Sequence, residues 1–294
     1  MRNVFIENGA AVLAVILWGS APAIIVTLYD YLKPMDIVFP QFVIAYVVMC
    51  IAHRKPLRPE KKIHELYFFL TGFLGITASA GLLNTAYTFA SSGTASVIYS
   101  TSPLVVVLIY MIIRRKAYVG IRYWSGGLMA LAGCAIVSMV GDKQYASLTG
   151  IVLAFSSAAA WALYVVIYDQ IQKESDYPIN GLLRRMFFYG FLTAFIVVMF
   201  TDSNLNIDVL LHGDHVMILL LIQGIFMGAT SYLLWNWSCG KLGAARTSIY
   251  IYGMPFITLI VSAIVLSEEL SAIKILGCVI TVAGVVLSQT DKGI

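Results

Sequence analysis

Asn84 and Asn236 stand 152 residues apart, each in a run so apolar that its side-chain amide can reach only another helix or a solute. An amide left unpaired in hydrocarbon is costly, so each must find a partner or serve as one. Around them lie the hydroxyls of Ser96, Ser100 and Ser248 and the rings of Trp18, Tyr99, Trp161, Tyr164 and Tyr252. These groups offer hydrogen bonds and π faces, which is the chemistry of holding a molecule rather than of breaking one. Groups that would break bonds are missing: there is no nucleophile elbow, HExxH pair, phosphate-binding glycine loop or pair of mid-span carboxylates. The sequence thus gives no reason to expect an enzyme, a metal or a cofactor.

The elements that position these residues follow from composition. The chain has 294 residues, of which 60% are hydrophobic and 12% charged, and its mean hydropathy is +0.86. Such a chain cannot cover a water-facing surface, so it reads as an all-α integral membrane protein surrounded by lipid. The formal net charge of +4 is small, and no basic patch interleaved with aromatics suggests nucleic acid as a partner. Cys50, Cys134, Cys239 and Cys278 lie in apolar runs without metal-type spacing and read as reduced core thiols. Arg2 and Glu7 precede a long apolar run with no close cleavage site, so the first segment reads as a helix that stays.

Cutting the chain at charges and turn formers gives ten spans: about 9–29, 35–53, 66–89, 94–114, 119–140, 149–169, 181–201, 215–238, 243–266 and 270–290. The third and fourth share a charge-free segment from Leu66 to Ile113 and turn near Ser91, Ser92 and Gly93. Lysine and arginine test this division. The N-terminus and the even-numbered loops hold 16 of them, while the other side holds only Lys33, Lys143 and Lys274. That asymmetry predicts a multi-pass protein of the cell membrane with both termini cytoplasmic.

The halves repeat. At an offset of 152, Asn84, Ser96, Ser100 and Pro103 fall on Asn236, Ser248, Tyr252 and Pro255; one residue of slip places Gly126 and Gly133 on Gly277 and Gly284. Trp18 in the first span and Trp161 in the sixth can likewise be paired, at an offset of 143. Two units, 1–143 and 144–294, each with five spans, must lie in opposite orientations because five is odd. In each half the hydroxyl, the middle residue and the proline are spaced i, i+4, i+7, on one helical face. Pro103 and Pro255 deprive the carbonyls of Tyr99 and Ile251 of their helical donors. Two kinked faces lining a central cavity are the expectation, with the two helices bending at their prolines as the repeats rock. Plain small-residue packing between helices is the alternative.

No Asp, Glu or His falls near the middle of a span: His53, His64, His212 and His215 sit at loops or ends, and Glu268 and Glu269 in the last outer loop. This argues against proton coupling through a buried carboxylate. Charges at helix ends, such as Asp169, Arg184, Arg185 and Arg246, remain for coupling or for orientation.

Over nearly its whole length the chain resembles the ten-span EamA-type carriers of the drug/metabolite transporter superfamily. The resemblance rests on LWGSAP in the first helix, NTAYTFASSGTASVIYSTSPLV across the third and fourth, and LGAARTSIYIYGMPFITLIVSAIVLSEELSAIKILGCVITVAGVVL at the end. Members commonly carry an acidic pair between the last two helices. Here it occurs once, as SEEL at 267–270, whereas the first half reads RRKAY at 114–118. The resemblance implies a secondary transporter of a small organic metabolite, with amino acids and related amines first, exported by alternating access as a monomer or a homodimer. An organic-cation carrier with an aromatic cage and a non-transporting membrane protein are the competing expectations.

Overall fold

A computed structural model describes residues 4–55, 57–114, 120–139, 147–201, 214–243 and 247–290. Arg2, Arg115, Lys116, Lys143, Arg246 and Lys292 of the charge count, His212, and most of the RRKAY stretch lie outside the described residues.

Among the described residues the chain is helical throughout, with no strand. Helix α1 spans Val4–Leu28, and α2, Pro34–Ala52, opens on a proline at its first position, where the missing N–H costs nothing. Helix α3 runs Lys62–Ala86 and widens into a π-helical stretch over Phe73–Ala78. Ser91 caps α4 (Ser92–Tyr99) by accepting the Thr94 N–H. Then come α5 (Ser102–Arg114), α6 (Ile121–Met139), α7 (Leu148–Glu174) capped by Ser147, and α8 (Ile179–Phe200). Helix α9, His215–Leu242, carries a second π-helical stretch at Gln223–Thr230. A 3₁₀ turn over Ile249–Gly253 leads into α10 (Met254–Val265), and α11 (Ala272–Gln289) begins at the Ser271 cap.

Seven segments are long and apolar enough to cross a membrane: α1, α2, α3, Ser92–Ile112, α7, α8 and α9. Three shorter apolar helices, Ile121–Val137, Tyr250–Val265 and Ala272–Ser288, occupy the remaining expected spans. Phe5, Ile51, Ile112, Ile121, Phe200 and Ile264 lie exposed on the outside, as lipid contact requires. The protein is a multi-pass membrane protein.

Both prolines interrupt their helices. A turn at Ser100 and Thr101 separates α4 from α5 just before Pro103, and the 3₁₀ turn ends just before Pro255 in the first turn of α10. The lost N–H explains why the break lies on the N-terminal side each time.

Helices α6 and α11 meet backbone to backbone. A Cβ on Gly126 would lie 2.4 Å from the Gly284 carbonyl oxygen, one on Gly284 2.4 Å from the Ala130 nitrogen, and one on Gly133 2.6 Å from the Gly277 carbonyl oxygen. Residue numbers rise on one helix as they fall on the other, so the pair is antiparallel. Without the glycines the helices could not approach so closely.

Candidate functional site: a charge-free aromatic cavity

The π-helical stretches fix the site. Gly75 and Met227 occupy corresponding places in them, again 152 residues apart, and their carbonyls point the same way chemically. The Gly75 oxygen accepts from the Tyr232 hydroxyl at 2.8 Å, and the Met227 oxygen accepts from the Trp18 indole N–H at 3.0 Å. A wide π turn presents carbonyls that a regular helix would engage internally. Here it anchors one aromatic ring per half.

Those rings border a cavity of about 80 Å³ between α1, α2, α3, the end of α4, α7, α9 and the start of α10. A single water needs roughly 10–15 Å³ on this kind of measure, so several waters or a small organic group fit. Its wall comprises Trp18, Phe42, Tyr87, Tyr99, Trp161 and Tyr232, the polar Gln41, Ser79, Asn84 and Gln223, and small or aliphatic residues between them. None of the lining residues is charged. The rings support one another: Trp18 meets Trp161 edge to face at 5.2 Å and Tyr232 at 5.3 Å, while Trp161 lies 4.9 Å from Tyr164.

Hydrogen bonding in the wall is incomplete. Gln223 donates its Nε2 to the Ala21 carbonyl at 2.9 Å, but its Oε1 is buried without a protein partner. Asn84 Nδ2 and Trp161 Nε1 are likewise buried donors without one. Leaving three such groups in a membrane interior is unfavourable unless something else occupies them for part of the time. Two donors and one acceptor are therefore offered by residues that share one wall.

Of the twelve residues expected to form a site, Trp18, Asn84, Tyr99 and Trp161 line the cavity. Tyr164 and Asn236 lie beside it and bond to each other, the tyrosine hydroxyl donating to Asn236 Oδ1 at 2.8 Å. Asn236 also donates to the Tyr232 carbonyl, so it is used in helix packing. Ser96, Ser100, Pro103, Ser248, Tyr252 and Pro255 are buried between helices and do not line the cavity themselves, although Ser96 lies against Tyr87, which does. Ser100 donates back to the Val97 carbonyl, and Tyr252 packs with Leu104, Tyr123 and Val285.

Gln41 and Gln223 join the wall, as do Phe42, Met227 and Tyr232. The offset of 152 aligns Tyr232 with Ala80 and Trp235 with Leu83, so at that turn rings come from the second half alone, while the first half brings Trp18, Phe42, Tyr87 and Tyr99 to the wall. The single acidic pair has a local task as well: Glu268 Oε1 accepts from the Ser92 N–H at 3.2 Å and the Ser92 hydroxyl at 2.6 Å, tying the start of α4 to the α10–α11 loop. A carboxylate at a helix N-terminus is electrostatically favourable.

Comparison with known proteins agrees with this architecture. An Archaeoglobus fulgidus protein named as an uncharacterized transporter is 26% identical over 279 residues, 93% of this chain and 95% of its own length. The YdfC transporter of Bacillus subtilis, also named as uncharacterized, is 24% identical over 92% of this chain and 86% of its own. A Streptantibioticus cattleyicolor protein named as a probable terminal-alkyne amino-acid exporter is 25% identical, covering 95% of this chain and 91% of its own. A solved crystal structure superposes with a TM-score of 0.69 at 15% identity, covering 96% of this chain and 95% of the other, which establishes a shared fold. These relatives are transporters and not enzymes. The model of the EamA-like transporter family matches residues 6–139 and again 148–290, so the chain belongs to that family.

Proposed function

We propose that the protein exports small zwitterionic metabolites, amino acids first, by alternating access around the central cavity. The observation that carries this reading is the unpaired set on a charge-free wall: the Asn84 and Trp161 N–H groups for a carboxylate, and Gln223 Oε1 for an ammonium. A site with no net charge matches a solute with none. The relative named as an amino-acid exporter supports the substrate class and the direction.

The same reading takes the chain as ten spans in two inverted five-helix repeats, 1–143 and 144–294, in the cell membrane with both termini cytoplasmic. Support comes from the glycine seam. The repeat carries Gly126 to Gly277 and Gly284 back to Gly133, so it turns the contact 126–284 into the contact 277–133. A pair of contacts exchanged in this way is what a two-fold axis between inverted repeats produces. The 16-to-3 distribution of lysine and arginine supports the orientation.

An organic-cation carrier is less well matched, because the ring faces of Trp18, Trp161 and Tyr232 are spent on one another and the wall offers no carboxylate. A thermal-shift screen of the purified protein against amino acids, quaternary amines, nucleosides and vitamins separates the readings, since a ligand of the folded state raises its unfolding temperature. Amino acids are expected to stabilise, and Asn84→Leu or Gln223→Leu to abolish the shift. Stabilisation by quaternary amines alone would favour the cation carrier. No shift by any of these solutes would speak for a protein that does not transport.

A further inference from the structure

A second, smaller pocket lies beyond the Tyr164–Asn236 hydrogen bond, bordered by Tyr164, Tyr168, Asp169, Gln172, Asn236 and Cys239. Its volume is about 10 Å³, enough for one water. On α7 the sequence leads from one space to the other: Trp161, Tyr164 and Tyr168 are spaced i, i+3, i+7, a single helical face, with Asp169 one residue further. Eight residues of helix separate Trp161 from Asp169, a descent of about 12 Å. On α9, Tyr232, Asn236 and Cys239 are spaced i, i+4, i+7, again a single helical face.

The partition between the two spaces is thin. Trp161 belongs to the cavity and touches Tyr164 at 4.9 Å, and Tyr164 belongs to the pocket. One hydrogen bond of 2.8 Å, from the Tyr164 hydroxyl to Asn236 Oδ1, joins the two helices there. Below it the polar groups multiply. The Tyr168 hydroxyl is buried without a protein partner, and Asp169 Oδ2 accepts from the Tyr110 hydroxyl at 2.5 Å and pairs with Lys173, which is half exposed. A carboxylate whose cation can swing away into solvent is a place where another ammonium can rest.

We propose that the solute's route enters the central cavity between Tyr164 and Asn236, from the end of α7 that the charge count places on the cytoplasmic side, and that Asp169 first receives its ammonium group in the second pocket. This rests on the reading of the cavity as a zwitterion site, but the two can fail separately. Breaking the Tyr164–Asn236 bond opens the partition. The ammonium then exchanges the Asp169 carboxylate for Gln223 Oε1, and Lys173 returns to Asp169. The charged pocket near the end of α7 thereby hands its solute to the charge-free cavity.

Cys239, buried in the wall of the second pocket, reports on this directly. With Cys50, Cys134 and Cys278 replaced by alanine, the full-length protein is labelled by N-ethylmaleimide and the rate is followed. Tyr164→Phe keeps the ring and loses the hydroxyl, and it is expected to speed labelling about fivefold, as loss of one hydrogen bond does. Asn236→Leu is expected to do the same. Methylammonium is expected to slow labelling in the parent, and not in Asp169→Asn; acetate should protect neither. Equal labelling in the parent and in both partition variants, with unfolding temperatures retained, would overturn the route. Absence of methylammonium protection, or its survival in Asp169→Asn, would overturn the ammonium site. The thermal-shift response to amino acids reads the central cavity by itself, so its loss would sink the zwitterion reading without bearing on these labelling rates.

Discussion

Asn84 and Asn236 hold the same place in their two halves and do opposite work. Asn236 spends both ends of its amide on Tyr164 and the Tyr232 carbonyl, whereas Asn84 keeps a buried Nδ2 without a partner beside the cavity. The backbones around them agree: both lie just past a π-helical stretch, and both stretches give a carbonyl to an aromatic donor. The side chains do not agree. Where the second half has Tyr232 and Trp235, the first has Ala80 and Leu83. At this pair of turns the second half thus supplies rings and the first supplies room, while the cavity wall as a whole takes Trp18, Phe42, Tyr87 and Tyr99 from the first half and Trp161 and Tyr232 from the second. Duplicated backbone can be kept as scaffold while chemistry is divided unequally over it.

The most damaging way to break the comparison is through the part that is symmetric. Gly284→Leu would drive a side chain into the Ala130 backbone, and Gly126→Leu into that of Gly284. Each is expected to cost about 3 kcal/mol or more, beyond ordinary overpacking because backbone and not a side-chain tip is in the way. Gly127→Leu, one residue along on the same helix, meets nothing within 4 Å and is expected to leave stability unchanged. Thermal unfolding of the three variants in detergent tests this. Equal tolerance at all three positions would remove the seam from the account.

The asymmetric pair responds more gently and in opposite senses. Asn236→Leu removes a bonded amide and leaves the Tyr164 hydroxyl without its acceptor, for a loss of about 1 kcal/mol, the scale of interhelical polar contacts in membranes. Asn84→Leu removes a group that has no partner for its Nδ2, so the empty protein is expected to be as stable as before or slightly more so. Its cost appears when an amino acid is added, as loss of the thermal shift. If both variants lost stability alike and both kept the shift, the division of labour between the halves would be wrong.

Much of this architecture can be read from the chain. The offset of 152, the charge asymmetry and the paired glycines lead to the repeated helices and to the glycine contacts between α6 and α11. The wall of the cavity is legible only in part, for two physical reasons. A π-helical stretch has no local composition of its own; GFLGITA and GIFMGAT read as ordinary apolar helix until the carbonyls of Gly75 and Met227 find donors from elsewhere in the chain. The serine and proline face fails differently. Spacing of i, i+4, i+7 assumes one continuous α-helix from Ser96 to Pro103, and the turn at Ser100 and Thr101 breaks that register. The proline that drew attention to the face is the residue that dismantles it.

That break yields the mildest test. Replacing Pro103 or Pro255 with alanine restores an N–H where the helix lacks one, but the surrounding packing is already set for the turn and for the 3₁₀ segment. Gain and misfit offset each other, and the change in stability is expected to stay within about 1 kcal/mol. Flux should suffer more than stability, because a straightened α4–α5 or α10 loses the place where it bends. In proteoliposomes the double variant is expected to carry substrate several-fold more slowly while its unfolding temperature moves little. A double variant that carries at the parental rate would assign the bending of the halves to some other element, and the two π-helical stretches, which also lie at matching positions, would be the next to straighten.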